Sequence, residues 1–384
     1  MAASVLIREA RTRADIKTVA TFPLALYRGD PYYVPPLMGD RVKHLDPEHN
    51  PYFEHAEMQL FIAERDGAVV GTIAAITDRL HEETWDESVG FFGVFETIED
   101  YDVAKALLDA AGGWLATRGC PVMRGPMNLN INDECGMLID GFDGSPVIMM
   151  PYNKRYYPAF LERYGFVKAK DLYAFDVALY EFGPNVEGLP ARLSRFADIA
   201  EQRYHVRVRP FDMKHLKSEV ELIKPIYRQA WAKNWGAVPL TDNEFDYLLG
   251  QLKSVVDGEL SYLAFIGDEI VGIFLSLPDV NQILPYAKGQ LFPFGWAQLL
   301  MHQKEINTLR VMLMGVLEEH RLKGIEALFY KMASQVAYAK GYRHAEMSWI
   351  LEDNYKVIRG IEGMGGEIYR TYRVYDKALE PATA

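Results

Sequence analysis

The sequence repeats itself once at a spacing of about 200 residues, and this repeat limits the folds that the chain can adopt. Four short segments match in the same order, with their matching residues 200 or 201 positions apart: residues 5–10 with 206–211, Val70-Gly71 with Val271-Gly272, 161–166 with 361–366, and 175–179 with 375–379. Matches in one order at one spacing indicate a tandem duplication of a single unit. We place the boundary in residues 182–189, which predicts domains at 1–182 and 190–384.

Each unit shows the same order of hydrophobic patterns. A first strand precedes one or two helices, a β-hairpin, a fourth strand, an amphipathic helix, a fifth strand, a short helix and a last strand. In the first unit Asp66 and Gly67 supply the hairpin turn, because an Asp-Gly pair tolerates the positive φ angles of a tight turn. Strands and helices that alternate in this way predict an α/β fold with a mixed sheet and helices on its faces.

One junction in the second unit has the features of a phosphate site. A predicted strand over residues 309–317 runs into a polar loop with Arg321, Lys323 and Gly324, and a helix follows directly. The first N–H groups of a helix lack internal partners and carry the positive end of its dipole, so such a loop can hold a phosphate. Ordinary helix capping with solvated charges explains the same residues, and the loop alone leaves both interpretations open.

The element order and this loop resemble the GCN5-related N-acetyltransferase (GNAT) superfamily, in which Arg/Gln-x-x-Gly-x-Gly/Ala follows the fourth strand. Arg321 and Gly324 match the first two motif positions, and Asn354, Glu362 and Gly365 match the later Asn and Glu-x-x-Gly. The resemblance implies two tandem GNAT-like domains, each with a mixed, mostly antiparallel twisted sheet flanked by helices. It also implies acyl-CoA as the co-substrate, with no metal ion.

In such a domain the loop binds the pyrophosphate of coenzyme A, and the end of the fourth strand stabilises the thioester oxygen. The residues that the resemblance thus assigns to the acyl donor are Met314, Gly315, Val316, Arg321, Lys323, Gly324 and Ile325. Glu326 stands where the family has Gly or Ala, and a carboxylate there repels a diphosphate. The phosphopantetheine arm of an acyl-carrier protein is therefore an alternative donor. The family's frequent Tyr general acid is absent, since Ile361 takes its place.

The first unit lacks the donor motif. Its fourth strand is followed by Glu96, Glu99, Asp100 and Asp102, with no glycine and no basic residue before Lys105. Carboxylates at the start of a helix suit the helix dipole but repel a pyrophosphate. We therefore predict that the second domain holds the acyl donor and that the first is a degenerate copy.

The first unit also carries an insertion, which we place in the loop 121–152. The loop contains Asn130, Asn132, Asp133 and Glu134, at the point where this fold opens toward its acceptor. We expect these residues to bind the acceptor or the other domain, with Asp133 or Glu134 as a candidate general base. An Asn/Asp-rich loop that bonds its own backbone is the alternative.

The second unit has a different insertion, residues 278–307, before its fourth strand. Its segment 289–302 has no acidic, Lys or Arg residue and includes Trp296. Such a segment could wall a channel for an acyl chain, rest on a membrane surface, or pack against the other domain. Trp231 and Trp235 lie in a second aromatic segment, where this fold covers its acceptor, although two Trp at this spacing could also be core residues.

Acyl transfer to an amine needs a base for the amine, a stabilised oxyanion and a proton for the leaving thiolate. Polar residues at the ends of the fourth and fifth strands are further candidates for the base: Glu318, Glu319, His320, Glu352 and Asp353. The resemblance adds Asn354 to the catalytic candidates. Acidic residues at strand ends are more often solvated surface groups, so the identity of the base stays open.

Composition argues against several other classes of protein. The net charge is −12 with no compensating basic run, which disfavours nucleic acid as a partner. Cys120 and Cys135 give neither a disulfide framework nor a zinc spacing and suit a reducing cytosol. The first residues do not form a signal peptide, and no stretch is apolar enough to span a membrane. We expect a cytoplasmic protein, with a peripheral position on the inner membrane face as an additional option.

The whole pattern is similar to the family of bacterial ceramide synthases, most clearly in residues 130–136, 150–175 and 230–236. This resemblance implies an N-acyltransferase that moves an acyl group from a thioester to an amine, with a long-chain base as the narrower expectation. Two alternatives are a peptidoglycan-type aminoacyl transferase and a non-catalytic acyl-CoA or lipid-binding protein. The negative charge disfavours the first, because its donor is a charged tRNA.

Overall fold

The computed structural model describes residues 4–381, which form one mixed α/β structure. The strands are β1 (Leu6–Glu9), β2 (Ala56–Arg65), β3 (Ala68–Asp78), β4 (Val89–Thr97), β5 (Val122–Gly125), β6 (Met137–Asp140), β7 (Val167–Ala178), β8 (Arg207–Pro210), β9 (Ser261–Ile266), β10 (Glu269–Pro278), β11 (Thr308–Val316), β12 (His344–Leu351) and β13 (Glu367–Ala378).

Helices lie along both faces of these strands. They are α1 (Arg13–Leu26), α2 (Met38–His44), α3 (Arg79–Trp85), α4 (Tyr101–Ala116), α5 (Tyr157–Tyr164), α6 (Ala191–Tyr204), α7 (Leu216–Trp231), α8 (Asp242–Leu252), α9 (Leu284–Ala287), α10 (Gly295–His302), α11 (Ile325–Lys340) and α12 (Tyr355–Glu362). No helix in this described range is long and apolar enough to cross a membrane.

The two long helices after the fourth strands form because apolar residues recur every three or four positions. In α4 the buried face includes Leu107, Leu108 and Leu115, and in α11 it includes Leu328 and Phe329. This spacing puts one apolar stripe against the sheet and leaves the opposite side polar. Each helix thereby covers one half of the sheet at the same place in its repeat.

All strands belong to a single twisted sheet, in the order β1-β2-β3-β4-β5-β13-β7-β12-β11-β10-β9-β8, with β6 attached to β13. The pairings are antiparallel except β4 with β5 and β11 with β12, so the predicted mixed, mostly antiparallel fold is confirmed. The predicted hairpin forms between β2 and β3. Its turn residues Asp66 and Gly67 have φ angles of 52° and 77°, as a tight turn requires.

The centre of the sheet is formed by an exchange of the last strand of each repeat. β7, from the first repeat, pairs with β12 of the second, and β13, from the second repeat, pairs with β5 of the first. β7 and β13 then pair with each other. The predicted boundary at 182–189 therefore divides the repeats in the sequence, while the sheet carries each last strand across that boundary.

In the second half of the sheet, β11 and β12 separate part of the way along. They pair in parallel only as far as Val311 and Met347. Just beyond this point the register of β11 against β10 shifts by one residue, which leaves Met312 as a bulge, and β12 shifts against β7 after Met347. Because bulges bend a strand away from its partner, the sheet opens into a cleft here.

The equivalent cleft of the first half is filled by the protein's own insertion. β4 and β5 pair only as far as Phe91 and Arg124. Beyond them, the Met127 N–H donates to the Phe92 carbonyl at 2.8 Å, and the Asn128 side chain accepts from the Val94 N–H at 2.7 Å. The insertion is thus held against β4 by one backbone hydrogen bond and one side-chain hydrogen bond.

Gly93 is the residue that lets this inserted backbone approach. A Cβ atom added at Gly93 would lie 1.7 Å from the Met127 carbonyl oxygen, so no larger residue fits without a backbone shift. The exposed Gly113 of α4 offers a contrast, because an added Cβ there has no atom within 4 Å.

We expect Gly93→Ala to destabilise the protein by about 1–3 kcal/mol, since overpacking against backbone forces a rearrangement. Thermal unfolding followed by circular dichroism should show a lower midpoint. Gly113→Ala is the matched control and should leave the midpoint equal or higher, because alanine favours a helix interior over glycine. Equal midpoints for the two variants would contradict the close contact between β4 and the insertion.

Candidate functional site

A cavity of about 270 Å³ lies at the open cleft between β11 and β12. One wall is the sheet, one is formed by α7 and α8 of the second half, and one is the tip of the first half's insertion. Most of its lining is aliphatic or aromatic, for example Leu252, Leu275, Met312, Leu313 and Trp349. Apolar pockets with a few polar groups are the usual form of a small-molecule site.

Both predicted tryptophans of the segment after α7 line this cavity. Trp231 stacks on Tyr227 with ring centroids 5.1 Å apart and packs over Gly315, where an added Cβ would lie 2.6 Å from its ring. Trp235 lines the cavity nearer the first half, beside Arg124. The predicted substrate-binding residue Trp235 therefore lies where a ligand would contact it.

The tip of the insertion closes the cavity and joins the two halves. Asn130, Asn132 and Asp133 all line it. Asn132 donates to the Val238 carbonyl at 3.0 Å and accepts from the Tyr227 hydroxyl at 3.0 Å. The tip of the insertion thus contacts the other domain and lines the cavity at the same time, with the same residues.

Asp133 is the acidic residue of the insertion that faces the cavity. Burial raises its pKa, and the His44 imidazole beside it, with Nε2 3.7 Å from Oδ1, opposes that rise. Glu134 points elsewhere: it accepts from the Asn128 side chain at 2.8 Å and lies 3.4 Å from the Arg41 guanidinium. The two neighbouring carboxyl groups therefore have different surroundings, and of the two Asp133 is the one that lines this cavity.

His44 was not predicted from the sequence, although it lines the cavity next to Asp133. It ends α2 in the first half, and Asn50 holds it through a 2.8 Å hydrogen bond to the His44 carbonyl. No local motif marks this histidine. Only the position of the insertion tip, about 90 residues further along the chain, brings the two side chains together.

The predicted oxyanion residues lie along the open edge of β11. Met314, Gly315 and Val316 pair with Phe274, Ile273 and Gly272 of β10, while the described pairing of β12 stops before them. On that open edge, alternate backbone N–H groups face the cleft, as strand geometry requires. They are suitable donors for a developing oxyanion.

The predicted phosphate loop has the expected backbone form. Gly324 has φ 84°, and an added Cβ would lie 2.2 Å from the Phe196 carbonyl of α6, so glycine is required here. Ile325 begins α11 directly after it. The Arg321 side chain bonds back to the Val316 carbonyl, and the Lys323 ammonium lies 2.8 Å from the His320 ring.

Glu326 lies in the first turn of α11, beside the predicted phosphate loop. Burial raises the pKa of its carboxyl group, and the carboxyl accepts from its own backbone N–H at the start of α11. Both the negative charge of the Glu326 carboxylate and its hydrogen bond to the backbone N–H therefore compete with an anion for the N-terminus of α11.

The strand-end candidates for the base lie outside the cavity. Among the described residues, the cavity walls include none of Glu318, Glu319, His320, Glu352, Asp353 and Asn354. Glu318 bonds to Lys233 at 2.7 Å and Asp353 to Lys170 at 2.7 Å, and each bond lowers the pKa of the carboxyl. A lowered pKa makes a carboxylate a weaker base.

The predicted substrate residue Trp296 lies on the surface rather than in the cavity walls described here. The apolar insertion of the second half forms α9 and α10, and its side chains project into solvent: Phe292 is 77 % exposed and Phe294 74 %. We call Phe292, Phe294, Trp296, Leu300 and Met301 the apolar patch. The segment contacts the first half through Gly289, whose carbonyl accepts from the Met38 N–H at 3.0 Å, while the side chains of the apolar patch remain exposed.

Comparison with known proteins gives two relatives over nearly the whole chain. "Protein YghO" of Escherichia coli (strain K12) is 36 % identical over 382 residues, covering 97 % of this chain and 95 % of its own. "Bacterial ceramide synthase" of Caulobacter vibrioides (strain NA1000 / CB15N) is 36 % identical over 376 residues, with 96 % of each chain covered. No protein-family model matches the sequence.

Solved structures share the fold at low sequence identity. A tandem GNAT protein from the clavulanic acid biosynthesis pathway has a TM-score of 0.60 at 12 % identity, over 99 % of this chain and 100 % of its own. A GCN5-related N-acetyltransferase from Sphaerobacter thermophilus has a TM-score of 0.51 at 15 % identity, over 99 % and 97 %. The predicted tandem GNAT fold is confirmed.

We expect Glu326→Gln to strengthen the binding of coenzyme A by roughly two- to tenfold, because it removes a negative charge beside the site for the diphosphate. Titration calorimetry with coenzyme A measures the affinity. Glu319→Gln is the control, since Glu319 is exposed and the change in net charge is the same. If the two variants bind alike, the diphosphate does not lie at the start of α11.

Proposed function

The chain belongs to the family that includes the Escherichia coli and Caulobacter vibrioides relatives, and we propose that it transfers a fatty acyl group from a thioester donor to the amino group of a long-chain base. Its GNAT fold and its relatives make it an acyltransferase. The observation that supports the narrower proposal is the cavity, whose lining is mostly aliphatic and aromatic, with polar groups from the insertion tip, the sheet, α2 and α8.

The size and lining of this cavity favour a lipid over a small polar substrate. Its volume is near the lower end of the ~300–1,000 Å³ typical of ligand pockets, enough for part of an alkyl chain. Burying methylene groups against Leu252, Leu275 and Met312 supplies about 0.8 kcal/mol for each group. An acetyl group or a sugar amine gains little from such walls.

The chemistry follows from three groups on this chain. The acceptor reacts as the neutral amine, Asp133 takes the one proton that its nitrogen loses when the amide forms, and His44 beside it stabilises the carboxylate form. The amine nitrogen then attacks the thioester carbon, and the backbone N–H groups at Met314–Val316 stabilise the oxyanion. The C–S bond breaks, the amide forms, and the thiolate takes a proton from solvent.

The donor is proposed to be acyl-CoA held through Arg321, Lys323 and the start of α11, with an acyl-carrier protein as the alternative. The plugged cleft of the first half supports a single donor site, because the inserted backbone occupies the edge of β4 that a donor would use. The acidic residues after β4 also argue against a second donor site in the first half, since they repel a pyrophosphate.

The test is to incubate the full chain with acetyl-, octanoyl- and palmitoyl-CoA and with an amine panel that includes sphinganine. We expect free thiol release and amide formation in equal amounts, faster with palmitoyl-CoA and sphinganine than with acetyl-CoA. Thiol release by no pair, from protein that is folded by circular dichroism, leaves a lipid-binding role. Transfer from charged tRNA alone indicates an aminoacyl transferase.

In the same assay Asp133→Asn should lower kcat/KM by about 10²–10⁴-fold. Burial raises the pKa of Asp133, and only its ionised form accepts a proton, so wild-type activity should fall as the pH drops through a value above that of an ordinary carboxyl. In Asp133→Asn this fall in activity at low pH should be absent. Glu134→Gln is the control and should keep both the rate and the fall at low pH, because the Glu134 carboxyl group bonds to Asn128.

We further propose that the apolar patch rests on a phospholipid bilayer. The segment 289–301 has no ionisable side chain, and Lys288 and Lys304 flank it, which suits an interfacial segment on anionic lipids. The segment that carries the patch contacts α2, since the Met38 N–H donates to the Gly289 carbonyl at 3.0 Å, and α2 runs from Met38 to His44, which lines the cavity. Met38 and His44 lie about 9 Å apart along the helix, which gives a lipid a short path from the bilayer to the cavity.

Replacing Phe292, Phe294 and Trp296 together by serine should reduce co-sedimentation with phosphatidylcholine–phosphatidylglycerol vesicles by roughly tenfold or more, because their buried apolar area supplies the binding. Leu6→Ser with Val167→Ser is the control, since both residues are exposed and lie away from the patch. Acylation of a short amine in solution should not change in the triple variant. Equal sedimentation of both variants and wild type would show that the patch does not bind lipid.

A further inference from the structure

A buried asparagine contacts the histidine that faces Asp133. Asn50 is 5 % exposed, lies in the turn after α2 and lines the cavity. Its Oδ1 accepts from the Tyr52 N–H at 3.0 Å, and its Nδ2 donates to the His44 carbonyl at 2.8 Å. Because a backbone N–H can only donate and a carbonyl oxygen can only accept, these two bonds determine which end of the Asn50 amide is the nitrogen.

The same amide nitrogen faces the ring of His44. Asn50 Nδ2 lies 3.5 Å from His44 Nδ1. Nδ2 carries two hydrogens and offers no acceptor, so it tolerates an Nδ1 that carries a lone pair and repels an Nδ1 that carries a hydrogen. In the neutral ring the hydrogen therefore lies on Nε2.

The other side of the His44 ring requires the same arrangement. His44 Nε2 lies 3.5 Å from the Asn128 carbonyl and 3.7 Å from Asp133 Oδ1, and both of these oxygens are acceptors. The neighbours of the two ring nitrogens thus specify one tautomer independently of each other. In this tautomer His44 presents an N–H to the carboxylate of Asp133, which stabilises the ionised form of that carboxyl group.

His55 shows what a carboxylate in place of the Asn50 amide would do. The Nδ1 of His55 lies 2.9 Å from Asp78, and its Nε2 lies 3.4 Å from Glu244. Burial lowers the pKa of His55, but the two carboxylates outweigh burial and raise the pKa to about 9. A histidine between two carboxylates is therefore a cation at neutral pH. The Asn50 amide denies His44 the second acceptor that such a cation needs.

We propose that Asn50 is a positioning residue for the base: it holds His44 as the neutral tautomer with hydrogen on Nε2, so that Asp133 is the group that takes the proton from the acceptor nitrogen. This assignment rests on the proposed function. A His44 cation would pair with Asp133 and make it a weaker base. A neutral ring with its hydrogen on Nδ1 would face the carboxylate with a lone pair. The amide at position 50 disfavours both states.

Other titratable groups near Asp133 belong to α2, the turn after it, the insertion and α8. They are Arg41, Tyr52, Glu134, Glu244 and Tyr247. Arg41 and Glu134 lie 3.4 Å apart, so their opposite charges largely cancel. A substitution at position 50 leaves all five groups in place. A shift in the pH dependence of the reaction after that substitution therefore reports the state of the His44 ring.

Nitrogen-15 NMR of histidine-labelled protein tests the tautomer without any turnover, because a ring nitrogen that carries hydrogen resonates apart from one that carries a lone pair. His44→Gln assigns the signals by their loss. At about pH 8, above the range in which an ordinary histidine titrates, wild-type His44 should carry hydrogen on Nε2 and none on Nδ1. His55 should carry hydrogen on both nitrogens in the same spectrum.

Asn50→Asp should place a hydrogen on Nδ1 of His44, because the new carboxylate accepts it. Asn185→Asp is the matched control: the change in net charge is the same, Asn185 is exposed, and the His44 signals should not change. If Asn50→Asp does not fold by circular dichroism, the wild-type spectrum decides alone, since hydrogen on Nδ1 of wild-type His44 would overturn the assignment.

The pH dependence of acyl transfer gives a second measurement. With palmitoyl-CoA and sphinganine, Asn50→Asp should move the fall in activity at low pH downward by roughly one pH unit, because a His44 cation favours the ionised form of Asp133. The maximal kcat should drop about tenfold with KM within about threefold, since a carboxyl group of lower pKa is a weaker base. A lower rate with the fall at its wild-type pH would contradict the assignment.

The outcomes separate this assignment from the proposed reaction. If no amine is acylated but Nδ1 of His44 gains a hydrogen in Asn50→Asp, the reaction fails and the control of the tautomer by Asn50 stands. If acylation occurs and the His44 ring is the same in Asn50→Asp and wild type, the reaction stands and the role of Asn50 fails.

Discussion

The antiparallel pairing of β7 with β13 is the interaction on which the rest of the molecule depends. Each of these strands comes from one repeat and lies beside the fifth strand of the other. Ion pairs reinforce the exchange: Arg373 binds Asp171 at 2.7 Å, and Arg124 binds Asp376 at 2.8 Å. Because neither half has its own complete sheet, the cavity of the second half is built on a frame that both halves supply.

The duplication has produced two clefts with different contents. In the first half the cleft is closed by inserted backbone that bonds to β4, and in the second it stays open as the cavity. The same insertion supplies both outcomes, since its base fills one cleft and its tip, at Asn132 and Asp133, completes the other. The insertion is thereby the element that couples the two halves.

Much of the fold could be predicted from the sequence because it depends on local patterns: the repeat, the turn at Asp66, and the helix after Gly324. The strand exchange could not, because β7 and β13 have the same length and pattern and would fit either place in the sheet. His44 also escaped prediction. It is a single polar residue at the end of an ordinary helix, and its position at the cavity depends on the insertion tip that lies opposite it. Of the strand-end acids, Glu318, Glu352 and Asp353 form ion pairs with lysine side chains.

The exchange also determines when the protein can be completed during synthesis. β13 lies near the end of the described residues. Its Asp376 binds Arg124 of β5, which stands 252 positions earlier in the sequence. Until it emerges from the ribosome, β5 and β7 each present an unpaired edge at what becomes the middle of the sheet. Contacts of such long range fold slowly, and open edges recruit strands of other chains. Loss of β13 would therefore expose the centre of the sheet rather than its rim, so the synthesis of this strand is the step that closes the sheet.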